Sequence, residues 1–536
     1  MDSTLLLVLL SLVEGYLFQR FVFLESAFRT VTLGALGVNL VVLIIWNALI
    51  YPFFITPVRH LPTVSGSLSN IRLIFDSPRG RIPLEWMKTI PNEGLIHFRD
   101  LFNRSYLLAT NHKALLDIMS TNTYDFEKPW RARQFLSRII GFGLILTEGS
   151  VHKRQRKALL PSFNFKNIRA LYTLMWEKTG LMMDELEKEM KTTDGKIEIT
   201  VWASRLTLDI IGPAAMGRDF NSLQNPDNKV AESFLAILEP TKEKMAFLAV
   251  NFALPQALAQ RIPWRLNRVV EEETSFLRNL CRGIVREKQA AITSTKATAQ
   301  ELEADILGTM ILSGDVSEEE LVDHMLTFLA AGHETTASAF TWACYLLTLH
   351  PEIQERLRAE IREHIPSGNH PITWSDLETL PLLNGVCQEV LRLYPTVPVT
   401  LREAVRDTTI AGKHVPKGVR IILCPYAINR SPEFWGDDGD QFRPERWIDT
   451  DKEGKSVVNH NGGASTNFAQ ITFLHGQRAC IGKDFARAEL RAVVAGFVGR
   501  FRFEMQDPKE EIIIAGAITT KPVNGLGLRL ERVDEW

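Results

Sequence analysis

The longest unbroken apolar pattern lies close to the N-terminus. Residues 30–58 contain no Asp, Glu, Lys or Arg, and their centre, Leu40-Val41-Val42-Leu43-Ile44-Ile45-Trp46, is strongly apolar. A membrane crossing needs roughly 20 such residues, and this run has 29. The pattern predicts a span at about 31–55, with Trp46, Tyr51 and Phe53 suited to a membrane interface. No soluble core helix needs so long an uncharged run. An earlier stretch, Thr4 to Val13, is too short to span comfortably and ends at Glu14. Half of a helical hairpin, an interfacial helix and part of a signal anchor all stay open for it. No small-residue cleavage site follows, so the N-terminus is expected to be retained. Arg59, Arg72, Arg79 and Arg81 follow the span, against Arg20 and Arg29 before it. That balance weakly favours a cytosolic body. Pro52, Pro57 and Pro62 predict a stiff, extended connector.

Beyond the connector the pattern turns helical. Ser317 to Leu349 reads as one helix of about 33 residues, roughly 50 Å at 1.5 Å per residue. Ser317 and Glu320 form its capping box and Pro351 follows its end. A second helix is expected near Leu382–Tyr394, closed by Pro395. Strands are expected at Val419–Leu423 and at Glu511–Ile514, with polar loops at 291–300 and 450–467. The fold class is mainly α with small β-sheets. The chain divides into an N-terminal membrane region, 1–58, and one large domain, 59–536.

Composition narrows the function. Lys+Arg is 61 against Asp+Glu 63, a formal net charge of -2, so nucleic acid is not an expected partner. The five cysteines, Cys281, Cys344, Cys387, Cys424 and Cys480, are odd in number and contain no CxxC pair. That disfavours a disulfide framework and a structural zinc site, and fits a reducing compartment. Cys344, Cys387 and Cys424 read as ordinary buried thiols.

Cys480 is different. It lies in Phe473-Leu474-His475-Gly476-Gln477-Arg478-Ala479-Cys480-Ile481-Gly482, ahead of a helix-like stretch. A cysteine at a helix start is expected to have a lowered pKa. Gly476 and Gly482 would let the backbone approach a flat ligand closely, and Arg478 could pair with an acidic group on it. At these residues the chain resembles the cytochrome P450 family. The resemblance implies the P450 fold, haem b as cofactor and Cys480 as axial ligand to the haem iron. Phe473 would pack beside the sulfur, and Arg478 would bind a propionate.

Three further motifs, in the family's order, extend the resemblance. Glu389-Val390-Leu391-Arg392 sits in an apolar helix, and Arg446 in Phe442-Arg443-Pro444-Glu445-Arg446-Trp447 matches the pair's third partner; the trio reads as structural. Ala331-Gly332-His333-Glu334-Thr335-Thr336 lies mid-helix. There Thr335 would organise water at the oxygen-binding face and Glu334 would relay protons, because O–O cleavage needs a positioned acid and hydroxyl. His152 and Arg156 lie in a basic run that also reads as a solvated helix face. By resemblance they and Arg402 reach propionates, with His152 standing where Trp is commonest. Lys153, Arg154 and Lys157 could face an acidic electron donor. Lys521-Pro522-Val523-Asn524-Gly525-Leu526 resembles the C-terminal strand turn.

The implied activity is a monooxygenase that hydroxylates or epoxidises a hydrophobic small molecule. Electrons would come from NADPH through a separate reductase carrying FAD and FMN, with cytochrome b5 as a possible second donor. The general look resembles fungal enzymes of terpenoid or polyketide biosynthesis at the endoplasmic reticulum membrane. Expected pocket residues are Phe135, Leu136, Ile139, Ile140, Phe142 and Leu144, then Phe328 and Ala331, then Val397, Val399, Thr400 and Leu401. Two rivals are a haem-thiolate isomerase or dehydratase, against which Glu334 and Thr335 argue, and a non-catalytic haem-binding membrane protein.

Overall fold

The structure is a computed structural model. It describes the whole chain except residues 1–2, 24–26, 65–71, 74–75, 101–102, 240, 294–304, 315, 368–369, 517 and 535. Most of the expected loop at 291–300 therefore lies outside the described residues, and a helix runs as far as Thr293.

Two N-terminal helices, α1 (Ser3–Phe21) and α2 (Phe28–Ile45), pack against each other. The second continues as a π-helical segment, Trp46–Ile55, that contains Pro52. Pro52 is thus not part of an extended connector. A proline removes one N–H and crowds the preceding turn, and the wider π turn absorbs both defects without ending the helix. The extended residues are Thr56 and Leu61, on either side of a 3-10 turn at Pro57–His60.

The helices that frame the site follow from local signals. In α3 (Gly149–Leu159) the basic run has buried residues at His152, Gln155 and Leu159. That 3–4 spacing marks one inward face, so the run is not a fully solvated face. The long helix comes out as α5 (Glu318–Leu349), 32 residues, with the Ser317–Glu320 capping box formed. It crosses α4 (Ile199–Met216) closely. A Cβ on Gly332 would meet Ile211 Cγ1 at 2.6 Å, so this glycine serves helix packing rather than a break. Helix α6 (Pro381–Leu393) carries the Glu389–Arg392 pair, and α7 (Lys483–Arg500) follows the cysteine loop, beginning after Gly482.

The main sheet has five strands: β1 (Leu95–Arg99), β2 (Ser105–Ala109), β3 (Phe126–Glu127), β4 (Thr400–Ala404) and β5 (Arg420–Leu423). Their order is β1-β2-β5-β4-β3, with only β2 and β5 parallel. β4 thereby lays Arg402 near the chain reversal at Glu127–Pro129. The expected strand at 511–514 is shorter than its pattern: only Ile514–Ala515 pairs, with Lys521–Pro522. The expected loop at 450–467 contains a hairpin, Ile448–Thr450 against Ser456–Val458. One large core packs around α5, α6 and α7.

Candidate functional site

The cysteine loop is held from three sides. The Cys480 N–H donates to the Phe473 carbonyl at 2.8 Å, so Phe473 contributes its backbone as well as a ring. Gly476 has φ +66° and lies against the Met119 carbonyl, where any Cβ would collide. Its close approach is therefore to this chain's own backbone. Gly482 is not tightly packed: a Cβ there would meet Phe163 at 3.8 Å, an ordinary contact. Cys281, Cys344, Cys387 and Cys424 are buried, whereas Cys480 is exposed.

The expected lowering of the Cys480 thiol is not seen. Burial pushes it up, and the Gly482 N–H and the Arg156 charge oppose that without overcoming it. Cys480 thus keeps exposed surface although burial dominates its thiol. On the protein's own terms it is a thiol there; a metal ion bound to the sulfur would remove the proton.

Beside the cysteine loop a cluster of cations collects. Arg478 donates through Nη1 to the Thr147 carbonyl at 2.9 Å and pairs through Nη2 with Glu148. Its Nε is buried without a partner among the described residues, and its guanidinium lies 5.1 Å from the Tyr124 ring centroid. Arg156 donates to the Ala479 carbonyl at 2.8 Å, tying α3 to the cysteine loop. His152 is 3% exposed, with Nδ1 3.1 Å from the Tyr124 hydroxyl. Burial first, then Arg478, Lys128, Arg156 and Arg402, lower its pKa to about 3, so the ring is neutral. Arg402 bonds the Thr400 hydroxyl and the Leu401 carbonyl through Nη1. Its burial lowers its pKa to about 10. Lys128 reaches the same place, and burial followed by Arg402 lowers it to about 7.

These groups share one carboxylate, Glu148, which also accepts from the Lys128 N–H at 3.0 Å. A buried set of this composition carries uncompensated positive charge, and such charge is costly unless an anion completes it. The orphaned Arg478 Nε and the cation excess fit a flat ligand bearing carboxylates above Cys480. Lys128, Tyr124 and Glu148 have no motif or periodic signal; only the return of β4 beside β3 brings them in.

On α5, Ala331 and Thr335 are half-buried while His333, Glu334 and Thr336 are buried. The i, i+4 pair therefore shares the open face. Thr335 donates to the Ala331 carbonyl at 2.8 Å, the expected back-bond. Glu334 points elsewhere. Its Oε1 takes Lys521 Nζ at 3.0 Å and the Thr519 hydroxyl at 3.1 Å. Burial pushes its carboxyl up, but Lys521, His333 and the hydrogen bonds win, and the net shift is downward. Glu334 is thus a clamped carboxylate, and Lys521, quoted in the sequence without a role, is its clamp.

The expected pocket lining is mixed. Phe135, Ile139, Leu144 and Phe328 are core residues, at most 7% exposed. Phe135 packs on Phe247 and Phe252, and Phe142 is exposed. Leu136, Ile140, Ala331, Val397 and Thr400 are half-buried. Val399 and Leu401 are half-buried against the cluster around Trp86 and Phe98.

Comparison with known proteins agrees with this arrangement. The cytochrome P450 family model matches residues 99–526. The chain is 36% identical over 509 residues to cytochrome P450 monooxygenase sphH of Aspergillus fumigatus, covering 92% of each chain. It is 36% identical to cytochrome P450 monooxygenase FUM15 of Gibberella moniliformis, over 91% of each. To cytochrome P450 monooxygenase ALT8 of Alternaria alternata it is 34% identical, over 92% of each. The chain belongs to the cytochrome P450 family, and it is an oxidoreductase of the P450 monooxygenase class. Membership implies a haem cofactor.

Proposed function

We propose that residues 59–536 form a haem-thiolate monooxygenase that hydroxylates or epoxidises a hydrophobic small molecule. The observation that carries this reading is the cation cluster of Arg478, Arg402, Arg156 and Lys128 around one carboxylate, beside the Cys480 loop. These cations would hold the propionates of haem b and Cys480 its iron, and the haem would supply the oxygen-activating chemistry.

The remaining roles belong to this chain's side chains. Arg478 and Arg402 bind and orient carboxylates. His152, neutral at physiological pH, holds Tyr124 in place and offers a hydrogen bond. Thr335, on the open face of α5, positions water near the reacting centre. Glu334 exchanges a proton with that water when it leaves Lys521. A general acid must be reachable and correctly protonated, so the clamp decides when Glu334 can act. The Glu334–Thr335 pair favours oxygen activation over the isomerase or dehydratase reading.

Electrons come from NADPH through a separate membrane reductase with FAD and FMN, and cytochrome b5 is a second donor to test. Residues 1–58 form the membrane region. A helix at Phe28–Ile55 is long and apolar enough to cross a bilayer, which supports membrane anchoring; the endoplasmic reticulum, with the body cytosolic, is the location we assign to it. The fungal relatives support a role in secondary metabolism, and a terpenoid or polyketide is the substrate class to test. The test is the reduced, CO-bound difference spectrum of the membrane fraction, followed by turnover of a lipophilic panel with added reductase and NADPH. A thiolate-type Soret band with NADPH-dependent product is expected. A folded protein that loads haem but turns over without O₂ would favour the isomerase.

A further inference from the structure

The N-terminal helices carry a polar seam that a single membrane anchor would not need. α1 is 19 residues long, about 28 Å at 1.5 Å per residue, close to the roughly 30 Å of a hydrocarbon core. α2 and its π-helical continuation make a 28-residue apolar helix. The two run antiparallel in contact, with Gly15 against Thr32 and Ser11 and Glu14 against Asn39.

The seam is specific. Asn39 Nδ2 on α2 donates to Glu14 Oε2 at 2.5 Å and to Ser11 Oγ at 3.1 Å on α1. Ser11 is 1% exposed and donates back to the Leu7 carbonyl at 2.8 Å. One turn on, a Cβ at Gly15 would lie 2.8 Å from the Thr32 Cα, so only glycine permits this approach. Small residues and side-chain hydrogen bonds at the contact are how helices associate in lipid.

The outer surface is the reverse. Leu6, Val8, Leu9, Leu10, Val13 and Leu17 are all exposed. An interfacial helix needs a broad polar face toward water, but on α1 Ser11, Glu14 and Gly15 are turned toward α2. The arginines sit at the ends: Arg20 reaches back to the Tyr16 hydroxyl at 2.8 Å near Phe21, and Arg59 bonds the Phe54 carbonyl at the opposite end. Lone polar groups are expensive in a bilayer and persist there when they pair.

We infer that α1 and α2 insert together as a two-pass hairpin held by the Ser11–Glu14–Asn39 clasp. The helix ends at Phe21 and Phe28 then face the far side of the membrane, and the N-terminal end of α1 lies on the same side as the catalytic body. Arg20 and Arg29 flank the translocated turn, fewer than the four arginines that follow the second span. This inference rests on the membrane reading above.

The experiment uses the full chain in microsomes. Asn-x-Thr acceptors on flexible spacers are placed ahead of Met1, within 22–27, or after Trp536, and alkaline carbonate extraction is run on each. The hairpin predicts retention in the membrane and glycosylation at the turn alone. Glycosylation ahead of Met1 would overturn it in favour of one span with α1 translocated. Retention with no acceptor modified would overturn it in favour of both helices lying on the cytosolic face without crossing. Release by carbonate would overturn the membrane reading itself, and the hairpin with it. Asn39→Leu leaves Glu14 unpartnered in lipid and is expected to cut turn glycosylation to less than half, and Glu14→Leu in the same chain to restore it. Equal glycosylation in all three chains would show that the clasp does not hold the hairpin.

Discussion

Two buried, arginine-rich clusters lie within this fold, and they are finished to different degrees. Around Glu389 and Arg392, both fully buried, the ion pair itself is fully satisfied, and only the neighbouring Arg446 Nε among its described partners is left without a hydrogen bond. The five N–H donors of Arg392 meet two Glu389 oxygens and the carbonyls of Asn429, Gly439 and Gln441. Glu389 also accepts from the Arg443 N–H and the Trp447 indole, with Arg446 Nε 3.4 Å away. Around Arg478 and Arg402 the count does not close, because Glu148 is the shared carboxylate for several cations. A cluster that satisfies itself holds a fold, and one that leaves positive charge over is shaped for an anionic guest. The difference separates a structural from a ligand-binding role more sharply than either motif does in one dimension.

The comparison breaks most readily at its closed half. Glu389→Gln strips one charge from a buried pair and should cost about 3–5 kcal/mol. Chemical denaturation of the detergent-solubilised protein should show that loss with haem present or removed. Cys480→Ser should instead leave the fold intact and abolish the thiolate-type CO spectrum; survival of that band would remove Cys480 as the ligand. Arg402→Met, at the open half, should lower haem retention about tenfold in a transfer assay, the scale of one lost charge-assisted hydrogen bond. The haem-free protein should meanwhile be no less stable, since an uncompensated cation has gone.

Smaller effects sharpen the picture. Thr335→Ala should divert electrons to peroxide, measured as peroxide formed per NADPH consumed. Lys521→Met removes the largest influence holding the Glu334 carboxyl down, so burial should raise its pKa and move the pH profile of coupling upward. Lys521→Arg should keep the original profile. The smallest effect is a pH slope. Lys128 has a folded pKa of about 7, below its ordinary value of 10.5. Between those values the unfolded chain binds more protons than the folded one, so stability of the haem-free protein should rise with pH there. Lys128→Met should flatten that rise, and haem loading should do the same by giving the ammonium carboxylate partners.

Local signals carried much of this into the sequence. Ser317 with Glu320 marks the start of α5 because the capping box is satisfied within four residues. Cys480, Gly476 and Arg478 are legible because a loop of fixed shape needs fixed residue types at fixed spacing. Lys128 and Lys521 were not legible as site residues. Each acts on a group brought near it by sheet pairing or by a C-terminal turn, and neither leaves a periodic trace. Glu511–Ile513 misled for the opposite reason: an apolar run becomes strand only where a partner exists, and Lys521–Pro522 reaches no further than Ile514 and Ala515. The thiol pKa misled because helix-end and glycine effects were weighed without burial.

The join between anchor and body has its own consequence. Arg99 donates to the Pro52 carbonyl at 3.1 Å and lies 4.1 Å from the Phe53 ring centroid, while Asn103 donates to the Ala48 carbonyl at 2.8 Å. These contacts stitch β1 and the turn after it to the end of the apolar helix. A body fastened in this way does not swivel on a tether; under the proposed membrane anchoring its tilt over the bilayer would be set by the fold. Encounter with the proposed donor in the same membrane would then be a search over a plane at nearly constant height and orientation, with collision frequency depending on lateral diffusion rather than on tumbling.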